Sequence, residues 1–281
     1  MAGLSICELT TYRWSFEVDV QHYAAAGIDG IGVWRHKLSD YGEKQGCTLL
    51  AEHRLKVSSL FWAGGFTGNG DHSHQESVED ACDALGIAAT LNAGCLIVHS
   101  GARAMHTQNH VRRLLYSALD KLLPLAEQLQ VAVALEPMPA VAGADWTFLS
   151  NWEDAAALVT RYNTPALRLV LDTYYWGLDP LLEAQLPRLV PHLALVQLAD
   201  SKSPPTREPN RCRLGEGKVP LAGIVRALDQ AGYRGEYEIE LMGEEIEITD
   251  YSDLLAHSQK AYDGIRATAG KIPEPFRKGV A

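Results

Sequence analysis

Short runs dense in Val, Ile and Leu recur along almost the whole chain, separated by longer stretches in which apolar positions return every three or four residues. Eight of these runs read as strands: 4–10 (LSICELT), 30–34 (GIGVW), 56–61 (KVSSLF), 95–99 (CLIVH), 131–136 (VAVALE), 168–172 (RLVLD), 193–199 (LALVQLA) and 236–241 (EYEIEL). Several are apolar without alternation, the pattern of parallel strands covered on both faces. Segments 76–92, 109–129, 152–162 and 221–231 read as helices, the last stopped by Gly232 just past its end. Strand and helix alternating eight times, with right-handed crossovers, predict a closed parallel barrel. The expected fold is therefore α/β, a single (β/α)8 TIM-barrel domain over 1–281 with the tail 272–281 peripheral. A doubly wound open sheet is the competing arrangement, disfavoured because no glycine phosphate fingerprint follows the first strand. GGFTGNG (64–70) and GEGK (215–218) complete no nucleotide-binding motif and read as active-site loops.

Length and composition agree with that picture: 281 residues, 47% hydrophobic and 21% charged, suit one large core. The net charge of −10 argues against gripping nucleic acid, which needs clustered Lys and Arg. No apolar run is long enough for a membrane span, and MAGLSICELTTYRW lacks the features of a signal peptide. Five cysteines, odd in number and without CxxC spacing, fit a cytoplasmic setting with reduced thiols.

The chemistry-bearing pattern lies at the strand ends. The fifth strand ends in Glu136, the sixth in Asp172, the seventh carries Gln197 and the eighth ends in Glu240. In a closed barrel such side chains point into the mouth where active sites form. Any one of them alone could be a helix cap or a surface charge. Together they would set three carboxylates and an amide in one confined space, which requires neutralisation. A divalent cation is the simplest neutraliser, and an all-oxygen set favours Mg²⁺ or Mn²⁺ over zinc. His99, ending the fourth strand, reads either as a hydrogen-bonding group for substrate or as a core histidine. Trp14, Trp34, Trp62, Trp146 and Tyr174 fall near strand ends, where they would stack on a sugar face or simply pack. His72 and His74 form an HxH pair in a glycine-rich loop, better read as loop than as metal site.

These residues, clearest between 131 and 243, resemble the xylose-isomerase-like TIM-barrel superfamily. Within it the likeness is to the sugar-phosphate isomerase/epimerase group, with its ketose 3-epimerases, hydroxypyruvate isomerase and inosose dehydratase. The resemblance implies a metal held by Glu136, Asp172, Gln197 and Glu240, Gln standing where His is commoner. It also implies that Arg211, four residues before Gly215 of a GxG turn, faces the substrate, with Arg213 the second candidate. Tyr175 stands where ketose epimerases carry a His three residues after the metal Asp. The implied activity is isomerisation or epimerisation of a ketose or related polyhydroxylated compound through a metal-stabilised enediolate, with Glu136 and Glu240 as acid and base. The same enediolate chemistry serves a lyase, either an inosose-type dehydratase or a 3-keto-glycoside-cleaving enzyme. A non-catalytic sugar-binding barrel or accessory subunit is the reading from another class, and an endonuclease IV-like nuclease is disfavoured by charge. Homo-oligomerisation is a further implication by analogy.

Overall fold

The computed structural model describes residues 3–68 and 72–270. Eight parallel strands close in sequence order: β1 (Leu4–Cys7), β2 (Gly30–Trp34), β3 (Lys56–Gly64), β4 (Cys95–His99), β5 (Ala132–Leu135), β6 (Leu167–Asp172), β7 (Leu193–Leu198) and β8 (Glu236–Ile239), with β8 pairing back onto β1. Helices between them cover the outside, so the fold is a (β/α)8 barrel. Most strand positions are buried, which is why the strands read as apolar runs. Among the described residues no helix is long and apolar enough to cross a membrane. The tail at 272–281 lies outside the described residues, as do the last residues of the 64–70 run.

The expected helices are present with ends set by local chemistry. Helix His74–Thr90 starts two residues before the expected 76, because Ser73 accepts from the Glu76 N–H while Glu76 reaches back to the Ser73 N–H, a complete capping box. Helices Gln108–Leu129 and Trp152–Tyr162 match expectation and are N-capped by Thr107 and Asn151. Helix Leu221–Gln230 ends where Gly232 takes up φ +91°. The largest differences, three residues each, are at β3, which runs on to Gly64 instead of ending at residue 61, and at β1. Strand β1 ends at Cys7 rather than at residue 10, because the chain turns there, the Thr10 N–H donating to Cys7 O at 2.9 Å.

Two features inside and above the barrel position the site. Pairing of β2 with β3 steps from Ile31↔Val57 to Gly32↔Ser59, so Ser58 is a bulged extra residue. After β7, the chain is pinned by Asp200, whose carboxylate accepts four backbone N–H groups: Ser201 (2.8 Å), Val219 (3.0 Å), Gly215 (2.9 Å) and Gly217 (3.0 Å). Here the Gly-rich 215–218 turn cradles a carboxylate of its own chain. Gly217 has to be glycine, since a Cβ there would meet Asp200 Oδ1 at 2.1 Å. This anchor folds the 201–219 segment back over the mouth.

Asp200→Ala is therefore expected to lower stability by about 3–4 kcal/mol, four charge-assisted bonds being lost together. Urea denaturation checks it. Asp200→Asn keeps an acceptor oxygen and should lose distinctly less.

Candidate active site and metal centre

The four strand-end residues converge. Glu136 lies one residue past β5 and Glu240 one past β8, yet their N–H groups still continue the ladder, donating to Val98 O and Leu198 O at 3.2 Å. Asp172 closes β6 and is the register partner of Gln197 on β7. Their inward side chains are 3%, 4%, 1% and 0% exposed for Glu136, Glu240, Asp172 and Gln197. Three of the four are carboxylates taken out of water, each costly unless matched.

Part of the match is a guanidinium. Arg211, carried over the mouth by the Asp200-anchored segment and tied to the segment after β8 through its N–H on Met242 O (3.0 Å), ion-pairs Asp172 Oδ2 at 2.9 Å and Glu240 Oε1 at 3.1 Å. Its Nη1 also donates to the Glu240 carbonyl at 3.0 Å. The rings of Tyr174 and Tyr175 lie 4.8 and 5.6 Å from its Cζ. The resemblance implies an Arg facing substrate; the structure places Arg211 as counter-ion to the buried carboxylates. Arg213 is only half-buried.

Burial dominates the titration of this group. It pushes Asp172 up to about 6 against the opposing pull of Arg211, and Glu240 up to about 8 against the same pull, with Glu136 adding to both. Carboxyls whose folded pKa is raised bind protons more tightly when folded, so stability is fully present below their unfolded pKa and is lost as pH rises. The metal-free protein should accordingly lose melting temperature from about pH 4, the ordinary carboxyl value, to about pH 8, the raised value of Glu240. Excess Mn²⁺, which favours the ionised forms, should flatten that slope; a scan of Tm against pH with and without the ion checks both.

The donor chemistry fits a hard cation. Gln197 Oε1 is buried without a partner, and Asp172 Oδ2 meets the charge of Arg211 but accepts no aligned hydrogen bond. Two oxygen acceptors are thus left with capacity for a ligand. Arg211 Nε and His99 Nδ1 are equally unfilled. Among the described residues the one set of three His, Cys, Asp or Glu side chains whose ligand atoms all lie within 4.8 Å is Cys7, Glu238 and Glu240. The three strand-end carboxylates are spread wider, with Arg211 between two of them and His99 holding the third.

His99 is buried and bonded through Nε2 to Glu136 Oε2 at 2.8 Å, with Nδ1 left without a partner. Trp62 stacks on its ring (5.1 Å, 25°), and Trp146 meets both edge-on at 5.5 and 5.7 Å. Gly64 lets β3 approach this closely, since a Cβ there would lie 1.9 Å from His99 O. The other aromatics do not join this stack, though Tyr174 lies against Arg211. Trp14 packs on His22 and Tyr251, Trp34 on His36, while Tyr174 is buried with its hydroxyl donating to Glu208 O at 3.2 Å. His72 is exposed and His74 bonds Phe66 O at 2.8 Å, so the HxH pair serves the loop.

Two strand-end carboxylates escaped the sequence reading. Glu8, just past β1, accepts from the Trp34 N–H at 2.7 Å and lies with Asp19 and Lys37, whose Nζ donates to Asp19 Oδ2 at 2.5 Å. It belongs to a bracing network and not to the mouth. Glu238 lies one layer below Glu240; the alternation of EYEIEL, which puts residues two apart on one face, was the signal available.

The chain matches the family model described as xylose isomerase-like TIM barrel over residues 20–263. L-ribulose-5-phosphate 3-epimerase UlaE of Escherichia coli is 28% identical over 166 residues, 58% of this chain and 53% of that protein. The match thus spans about half the length of such curated relatives. A protein from Sinorhizobium meliloti 1021 superposes with a TM-score of 0.86 at 23% identity, covering 94% of this chain and 98% of that one. The IolI protein, crystallised with a bound zinc atom, gives 0.83 at 17%, covering 96% and 100%. L-ribulose 3-epimerase gives 0.78 at 18%, covering 98% and 100%. These superpositions concern the fold.

Proposed function

The chain belongs to the xylose isomerase-like TIM-barrel family, and from that premise we propose that it is a divalent-metal-dependent isomerase or epimerase of a ketose or related polyhydroxylated carbonyl compound. The observation that carries the reading is the pair of buried carboxylates, Glu136 beyond β5 and Glu240 beyond β8, flanking Asp172 and the unpartnered Gln197 Oε1. Glu136, Asp172, Gln197 and Glu240 would hold the cation, Mg²⁺ or Mn²⁺ given their oxygen donors. When bound, it supplies Lewis-acid polarisation of the substrate carbonyl and an adjacent hydroxyl.

The chain's own residues do the rest. Strand order sets β5 and β8 three places apart around the ring, so Glu136 and Glu240 approach a substrate carbon from different sides. One removes the proton beside the carbonyl, and the other, starting protonated, delivers a proton of its own to the opposite face or to the neighbouring carbon. His99 holds Glu136 in place through the 2.8 Å bond and keeps Nδ1 for a substrate hydroxyl. Arg211 Nε is a second such contact, Tyr175 stands beside it, and Trp62 walls the same side as His99. The depth of the carboxylates excludes bulk water from the carbanion-like intermediate. The named relatives, 3-epimerases of L-ribulose and of its 5-phosphate, support a ketose as substrate class.

Proton NMR in D₂O with a panel of ketoses, inososes and 3-keto-glycosides, with Mg²⁺ and then EDTA, tests the proposal. EDTA-sensitive deuterium incorporation into an intact sugar is the expected result. Loss of water or of an aglycone would instead make the protein a lyase. No exchange with any compound, alongside tight metal binding, would leave the barrel and its metal standing and remove the ground for naming a reaction.

A further inference from the structure

A glutamine in a metal site has a choice that a carboxylate lacks: its amide presents either an oxygen or an NH₂ to the centre, and only the oxygen is a ligand. We propose that Glu238, one layer below the site, is the positioning residue that fixes the Gln197 amide with its oxygen turned to the metal. The inference rests on the metal-dependent reading of the site.

The geometry is closed on every side but one. Gln197 Nε2 donates to Glu240 Oε2 at 2.5 Å and to Glu238 Oε1 at 3.1 Å, using both of its hydrogens on carboxylates. Its Oε1 is thereby turned away and is buried without a partner. Flipped, the amide would press its oxygen against two carboxylate oxygens and lose both bonds. Glu240 cannot hold this orientation by itself, because its carboxylate is shared with Arg211 and is a ligand in its own right.

Glu238 is suited to the task because it is fixed and, when ionised, acceptor-only; burial raises its carboxyl pKa, and the bonds from Ser58, Ser59 and Gln197 pull it back down. Its Oε2 accepts from Ser58 Oγ at 2.6 Å and Ser59 Oγ at 2.8 Å. Adjacent strand residues ordinarily face opposite sides; both serines reach one carboxylate because the bulge at Ser58 breaks the alternation. Gly32 leaves the room, since a Cβ there would stand 2.4 Å from Glu238 Oε2. Three donors hold the fully buried side chain as an acceptor. The same contacts argue against Cys7, Glu238 and Glu240 forming a second metal site, as the Glu238 oxygens are already occupied.

The test is Mn²⁺ affinity of the full chain, read by EPR without substrate, for wild type, Glu238→Gln, Gln197→Met and the double variant. The glutamine introduced by Glu238→Gln can donate its own NH₂ to Gln197 Oε1 and so permits the flip. Glu238→Gln should weaken Mn²⁺ binding about 10–100-fold, the usual cost of losing an outer partner of a ligand, and alter the line shape of the bound ion. In the Gln197→Met background, where no amide remains to orient, the same substitution should cost less than about threefold. Equal losses in both backgrounds would mean that Glu238 acts only through its charge, and would overturn the inference; so would unchanged affinity in Glu238→Gln. Should Glu238→Gln fail to fold, Ser58→Ala carries the same cycle with a smaller expected loss. A wild-type chain that binds no Mn²⁺ removes the metal reading and this inference with it, whereas an additive cycle on a protein that binds Mn²⁺ removes the inference alone.

Discussion

Replacing Glu136 by Gln should lower solvent deuterium exchange into the ketose epimer whose proton Glu136 removes by about 10²–10⁴-fold while leaving the barrel folded, which is what a positioned acid/base group contributes. The substitution is nearly isosteric, and the amide oxygen can still accept from His99 Nε2, so the 2.8 Å contact and the Trp62–His99 stack survive. What is lost is the basic lone pair and one unit of negative charge. Glu240→Gln should lose activity by a similar factor but is the less clean experiment. Glu240 also accepts from Gln197 and ion-pairs Arg211, so its removal disturbs the cluster as well as the proton transfer. The discriminating readout is exchange rate at saturating Mg²⁺, with Tm measured in parallel. A Glu136→Gln protein that keeps more than a tenth of wild-type exchange with both epimers would show that the essential base is elsewhere. For a two-base epimerase the two variants also differ informatively: each should retain exchange for the substrate epimer whose proton it does not remove, if the remaining Glu can act alone.

The barrel was legible because its signal is repeated. Eight apolar runs separated by helical stretches over-determine the fold, and errors at individual ends, such as β1 stopping at Cys7 instead of residue 10, change nothing global. The strand-end set was legible for a related reason. Glu136, Asp172, Gln197 and Glu240 occupy equivalent places on successive strands, so topology alone brings them together. What could not be read was how the charges are balanced. That depends on a loop residue, Arg211, whose position is set by Asp200 and its four N–H donors, contacts between residues with no periodic relation. The Ser58 bulge is equally silent in KVSSLF, where neither serine looks unusual. Glu8 shows the converse: a strand-end carboxylate by pattern, drawn into a structural network by Lys37 and Asp19.

Because Arg211 stands between Asp172 and Glu240, Arg211→Met should be among the most destabilising single changes in the metal-free protein. Breaking a buried pair by removing one partner leaves an uncompensated charge and typically costs about 3–5 kcal/mol. For a chain of this size that corresponds to a fall in Tm on the order of 10 °C. The loss should be smaller near pH 5, where protonation relieves Asp172 and Glu240, and larger at pH 8, the direction set by their raised pKa values of about 6 and about 8. The two cations have overlapping electrostatic work: a guanidinium neutralises the carboxylates from the loop side, and a divalent ion held by Asp172 and Glu240 would neutralise them from the centre. Saturating Mn²⁺ should therefore recover most of the Tm that Arg211→Met loses, and stabilise the variant by more degrees than it stabilises wild type. Arg211→Lys should recover only part without metal, since one ammonium cannot span Asp172 Oδ2 and Glu240 Oε1 as the guanidinium does. If Mn²⁺ leaves Arg211→Met as unstable as before, the buried carboxylates are matched to the arginine alone, and the case for a cation among them fails on stability grounds, independently of any substrate.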